Sequence, residues 1–107
     1  MRTIREMLAD DEKVWVYFDS KETWEKFVEM ACSEGFHFGD LPVEKWAVGF
    51  VVAVHSNGDM GHLSLFLWCM SFPNCANQPR KIEFRKYIDG EEEYLCEESH
   101  IKQWMII

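Results

Sequence analysis

Five consecutive residues near the start of the chain, Val14-Trp15-Val16-Tyr17-Phe18, are β-branched or aromatic, and none is polar. Successive side chains of a strand point to opposite faces, so a run like this leaves no face suited to water. It suits a central strand, or one whose outer face is covered by a second subunit. Whatever fold the chain adopts has to cover both sides of this segment.

Helical signals flank it. Thr3 and Glu6 have capping-box spacing, and Ile4, Met7 and Leu8 form a short apolar face that ends at Asp10-Asp11. After the run, Asp19 or Ser20 can cap a second helix. Its apolar side is Trp24, Phe27, Val28 and Ala31, and its polar side is Lys21, Glu22, Glu25, Lys26 and Glu29. Lys21 with Glu25 and Glu22 with Lys26 are i,i+4 pairs, and Gly35 suits the left-handed position after the last turn.

Residues 36–42 read as a connector, 47–55 as an apolar strand, and Asn57-Gly58 as a hairpin turn into a partner strand over 60–72. That second strand is long enough to need a bend, at Gly61 or at a bulge. Residues 73–79 form a loop rich in amides. The segment 81–88 alternates, with Ile82 and Phe84 opposite Glu83, Arg85 and Tyr87, and so reads as a strand. Asp89-Gly90 turns the chain into a further strand at Tyr94-Leu95-Cys96. Hairpins with one helical connection give an α+β fold: an antiparallel β-sheet with one main amphipathic helix packed on it and a short N-terminal helix.

The 107 residues suffice for a single domain, residues 1–107. A hydrophobic share of 48 % and an aromatic share of 15 % supply a core and leave large side chains for an interface or ligand platform. The first strand's two apolar faces and the tail Trp104-Met105-Ile106-Ile107 point to a homodimer or higher homo-oligomer. The first residues contain no apolar signal segment, and the longest apolar stretches are too short to span a bilayer. With four cysteines and no leader, the expected location is cytoplasmic with reduced thiols.

The net charge of −8 argues against binding to DNA, RNA or an anionic membrane. The charge is uneven, however. No Lys or Arg lies between Lys45 and Arg80; Arg80, Lys81, Arg85 and Lys86 then cluster, and Asp89, Glu91, Glu92, Glu93, Glu97 and Glu98 follow. This reads either as a solvated strand with an acidic turn or as a local anion site on a negative protein.

No nucleophile elbow, phosphate-binding loop or dinucleotide fingerprint occurs, so no catalytic residue is assigned and the chain is read as non-enzymatic. Cys69-x5-Cys75 and His55-x6-His62 match no ordinary zinc spacing; His55 and His62 could face each other across the hairpin, but no metal or cofactor is assigned. The acids at Glu91-Glu92-Glu93 read as a solubilising edge.

The stretch Phe72-Pro73-Asn74-Cys75-Ala76-Asn77-Gln78-Pro79-Arg80-Lys81, continuing to Arg85 and Lys86, holds the parts of a small nucleotide site. An aromatic can stack on a base, side-chain amides can read an adenine edge, and Arg and Lys can neutralise phosphates. The candidate ligand-binding residues are Phe72, Asn74, Asn77, Arg80, Arg85 and Lys86. The same residues also fit a plain polar loop before an amphipathic strand.

Three segments, YFDSKETWEKFVEMACSEGFHFGD, AVHSNGDMGH and RKIEFRKYIDGEEEY, resemble phage Thoeris anti-defence sponge proteins, the type that sequesters cyclic ADP-ribose signals. The likeness is spread over most of the chain. It implies a non-enzymatic α+β protein that removes a cyclic ADP-ribose isomer made by TIR-domain defence proteins, with cyclic oligonucleotides as further ligands at separate sites. It also implies dimers able to assemble further, with ligand near the dimer interface, in an infected bacterial cell. Phe72, Asn74 or Asn77, Arg80 and Arg85 are the positions that fit its adenine and pyrophosphate contacts. Two stretches depart from the pattern: Leu41-Pro42-Val43-Glu44 stands where a basic Gly–Lys–Pro–Thr-like connector belongs, and His62-Leu63-Ser64-Leu65 replaces a glycine-richer strand. The alternative function is an acidic, anti-CRISPR-like inhibitor that docks on a nucleic-acid-binding defence enzyme through its 89–98 segment.

Overall fold

The computed structural model describes residues 2–42, 45–46, 51–63 and 80–96. Helix α1 (Ile4–Leu8) leads to strand β1 (Lys13–Tyr17) and helix α2 (Lys21–Glu34). Strands β2 (Val51–His55) and β3 (Met60–His62) follow, then strand β4 (Lys81–Glu83) and helix α3 (Phe84–Ile88). The class is α+β, as the sequence indicated.

Among the described residues the sheet order is β3-β2-β1-β4. β1 pairs antiparallel with β2, Trp15 opposite Ala53, and β2 pairs antiparallel with β3, Val54 opposite Met60. The sheet is not purely antiparallel. β4 runs parallel to β1, with Val16 opposite Ile82, and is joined on its far side by an antiparallel bridge from Ile82 to Leu95. The expected strand over 81–88 is also corrected: it ends at Glu83 and the chain turns into α3. Phe84 and Tyr87, three apart, then fall on one buried helical face.

α2 covers one face of the sheet. Ser20 is its N-cap, receiving the Thr23 N–H at 3.3 Å while its own N–H reaches the Thr23 hydroxyl, also at 3.3 Å. Gly35 closes the helix at φ 84°, where the Phe36 N–H bonds Ala31 O at 2.8 Å. With the Gly35 N–H on Cys32 O at 3.3 Å, this is the pair of hydrogen bonds that a left-handed glycine permits. Trp24, Phe27 and Ala31 pack with Val14, Val16, Phe18, Val52, Val54, Ile82 and Phe84. Phe18 is the hub, with ring centroids 5.2 Å from Trp24, 4.8 Å from Phe27 and 5.6 Å from Phe84. Truncating a ring buried this deeply removes about 3–5 kcal/mol.

The opposite face is apolar as well: Trp15, Tyr17, Val51 and Ala53 form a second buried cluster with Leu63 and Cys96 against it. The two apolar sides of β1 are thus both covered within one chain, and β1 is the central strand flanked by β2 and β4. The other basis for an oligomer, the tail 104–107, lies outside the described residues.

α1 is tied to both ends of the fold. Thr3 caps it, and the Glu34 carboxylate at the end of α2 accepts the N–H groups of Ile4 and Arg5 at 2.8 and 3.0 Å. The β2–β3 hairpin docks on the 36–42 connector. His37 N–H donates to Gly58 O, Met60 N–H to His37 O, and Gly39 N–H to the Asp59 carboxylate at 3.1 Å. The Gly39 N–H first, and then the Met60 N–H at 3.0 Å from the same carboxylate oxygen, hold the Asp59 pKa below the usual aspartate value.

Candidate functional site: the cleft between Arg80 and Tyr94

Three of the six residues singled out from the sequence, Phe72, Asn74 and Asn77, lie outside the described residues. The other three do not form one cluster. Arg80 and Lys86 line a common open cleft of about 330 Å³, together with Glu92, Glu93, Tyr94 and Leu95. Arg85 is absent from that lining and projects toward the start of α2.

Arg80 reaches the cleft from the residue just before β4. Its Nε–H donates to the Asp11 carboxylate at 2.5 Å, and its Nη2 donates to Met7 O at 2.7 Å and Leu8 O at 3.3 Å. It therefore closes the C-terminal end of α1, whose last carbonyls have no partner within the helix. Partial burial opposes its charge, but its hydrogen bonds to Asp11 and Tyr94 outweigh that, so its pKa lies above the ordinary arginine value. Much of its donor capacity is already committed inside the fold.

Arg85, exposed on α3, donates through Nε to Asp19 and through Nη2 to the Ser20 hydroxyl at 3.2 Å. The Asp19 hydrogen bond is the main reason its pKa is raised. It links α3 to the cap of α2. Lys86, half-buried on the same helix, stands 3.5 Å from the Glu83 carboxylate.

The far wall of the cleft comes from residues read at first as a solubilising edge. After α3 the chain reverses at Gly90, φ 86°, and brings Glu92, Glu93 and Tyr94 back beside Arg80. Tyr94 packs edge-on against Tyr87 at 5.0 Å. A tyrosine amid five acids was the one available signal. The spacing hid it, because a strand beginning at Tyr94 does not by itself turn toward Arg80.

The other sequence candidates resolve structurally. His55 and His62 do not face each other: His62 stands opposite Val52 and stacks on Phe38 at 4.8 Å and 10°. Burial against these rings lowers its pKa. Among the described residues no group of three His, Cys, Asp or Glu is arranged to hold a metal ion. Cys32 is exposed on α2, and Cys96 is partly buried beside the second cluster, its thiol pushed up to about 12 by burial first and then by Glu83. No helix among the described residues is long and apolar enough to cross a membrane.

Fold and cleft together define a small α+β domain with a basic-and-acidic groove beside its parallel strand. Comparison with protein-family models, with curated proteins and with solved structures finds no match to this chain.

Proposed function

We propose that the protein is a non-enzymatic receptor that sequesters a small anionic nucleotide, a cyclic ADP-ribose isomer or related cyclic nucleotide, in the cytoplasm of a bacterium under phage attack. The observation that carries this reading is that Arg80 and Lys86, the ends of the chain's basic segment, line one cleft with Tyr94. A volume of about 330 Å³ is at the small end for ligand sites, which run from about 300 to 1,000 Å³.

Each wall has a matching group on a nucleotide. The Lys86 ammonium attracts phosphate, and the Arg80 guanidinium adds positive charge to the same cleft. Glu92 and Glu93 accept hydrogen bonds from ribose hydroxyls, as acidic residues do in nucleotide sites generally. Tyr94 and Leu95 supply apolar surface for a base. The net charge of −8 then repels long nucleic acid while the local cations hold a compact anion.

Titration calorimetry with cyclic ADP-ribose isomers and cyclic dinucleotides tests this. Binding with a 1:1 ratio per cleft is expected, weakened about tenfold or more by Lys86→Glu. Ligand recovered after heat denaturation should be chemically intact by mass spectrometry; a cleaved product would make the protein an enzyme. Absence of heat with every nucleotide would overturn the reading. Capture of a basic nuclease that is lost on neutralising Glu91, Glu92 and Glu93 would replace it with the acidic-inhibitor reading.

A further inference from the structure

Tyr94 walls the cleft on one side and on the other forms part of a cage around Arg2. The Arg2 guanidinium carbon lies 5.1 Å from the Tyr87 ring centroid and 5.2 Å from that of Tyr94. Its Nη1 donates to Tyr87 O at 3.0 Å and Glu91 O at 2.8 Å, and its Nη2 to Gly90 O at 3.3 Å. These carbonyls belong to the last turn of α3 and the reversal after it. The residues that follow directly, Glu92 to Leu95, are the cleft wall.

We infer that Arg2 is a latch: it immobilises the 90–94 turn and so sets the shape of the cleft from the opposite end of the chain. A guanidinium suits this role because it is planar and always charged. It can lie against two rings while its fork donates to several carbonyls at once. Carbonyls at a helix C-terminus carry partial negative charge, which strengthens each bond. The turn itself is exposed and acidic, with Glu91, Glu92 and Glu93 in solvent. Their mutual repulsion favours opening, and the Arg2 cation opposes it. Arg2 is itself held in place, because Thr3 next to it caps α1 and its carbonyl receives the Tyr87 hydroxyl at 2.6 Å.

Arg2 is thus a positioning residue, with no contact to ligand required. Its effect on ligand release rests on the nucleotide reading of the cleft; the immobilisation of the turn stands without it.

Amide hydrogen exchange on the ligand-free protein is the test. Arg2→Gln should speed exchange of amides 90–95 by about tenfold or more while those of α2 and β1 keep wild-type rates. Arg2→Lys, which keeps the charge and loses the fork, should fall between the two and serves as the reading variant if the Gln form does not fold. Unchanged exchange at 90–95, or acceleration spread evenly over the chain, overturns the latch. With a bound cyclic nucleotide, Arg2→Gln should raise the dissociation rate by a similar factor. Fast exchange at 90–95 in a protein whose wild type binds no nucleotide would leave the latch standing and sink the proposed function instead.

Discussion

Arg80 donates its Nε–H to Asp11 at 2.5 Å across a sequence separation of 69 residues, and its Nη2 holds the Met7 and Leu8 carbonyls. One side chain thereby closes α1, anchors the approach to β1 and starts β4. The sequence treats Arg80 as a ligand arm, but in the structure it is also a clasp. Arg80→Ala should lower unfolding stability by about 1–3 kcal/mol, with Asp11→Asn costing less and the two changes non-additive. Denaturant unfolding of the four proteins in a double-mutant cycle measures this. An Arg80→Ala variant as stable as wild type would show that the clasp contributes nothing.

Ala9, just past α1, sits at φ 51° and ψ −123°, in a region that suits glycine and strains any residue with a Cβ. Ala9→Gly should therefore raise stability by about 0.5–1 kcal/mol, the strain relieved exceeding the added chain entropy. Ala9→Val should lower it. Thermal melts compare the three, and a lower midpoint for the glycine variant would contradict the strain.

Ser20 and Thr23 cap α2 reciprocally. Ser20→Ala should cost about 1 kcal/mol and Ser20→Asp much less, since aspartate is an equally good cap that also favours the helix dipole. Equal losses for Ala and Asp would point away from capping and toward the Arg85 contact with the Ser20 hydroxyl.

Tyr17 and Tyr87 have pKa values raised from 10.0 to about 12, in both cases chiefly by burial and then by nearby acids such as Asp19 and Glu6. A group whose folded pKa is raised stabilises fully below its unfolded value and stops doing so as pH rises through the folded one. These two tyrosines should accordingly add no pH dependence below about pH 10 and lower stability between about pH 10 and 12. Tyr87→Phe should have a shallower decline over that window, although it is less stable at neutral pH for want of the hydroxyl's bond to Thr3. Denaturation midpoints across the alkaline range decide the matter; identical slopes for the two proteins would contradict it.

Cys96 is partly buried with its thiol pKa pushed up to about 12, whereas Cys32 is solvent-exposed on α2. Only the thiolate is the nucleophile, so native alkylation at neutral pH should modify Cys32 far faster than Cys96. Peptide mass spectrometry after timed iodoacetamide exposure reads the two sites separately. Comparable rates would mean that the 94–96 segment opens readily.

Local features were legible because their signals are local. The Thr3 cap, the amphipathic α2 ending at Gly35, the Asn57-Gly58 turn and the strand at 14–18 all follow from residue type and spacing over a few positions. The segment 81–88 was not legible. Ile82 and Phe84 alternate as in a strand, yet Phe84, Tyr87 and Ile88 fit a helical face equally well. Eight residues satisfy both periods, and the choice fell to contacts far along the chain: Ile82 pairs beside Val16, and Phe84 fills the space between Phe18 and Phe27.

The sequence by itself determined that this chain carries a doubly buried strand, a capped helix to cover one side of it, and a basic segment set in acid. Only the tertiary structure decided that β4 runs parallel to β1, that Arg80 and Lys86 share a cleft Arg85 does not line, and that the acidic turn becomes its wall. Periodicity and propensity act between neighbours. Which distant segments meet is set by burial of the whole core and by charged groups, such as Arg2 and Arg80, that find their partners only once the chain has closed.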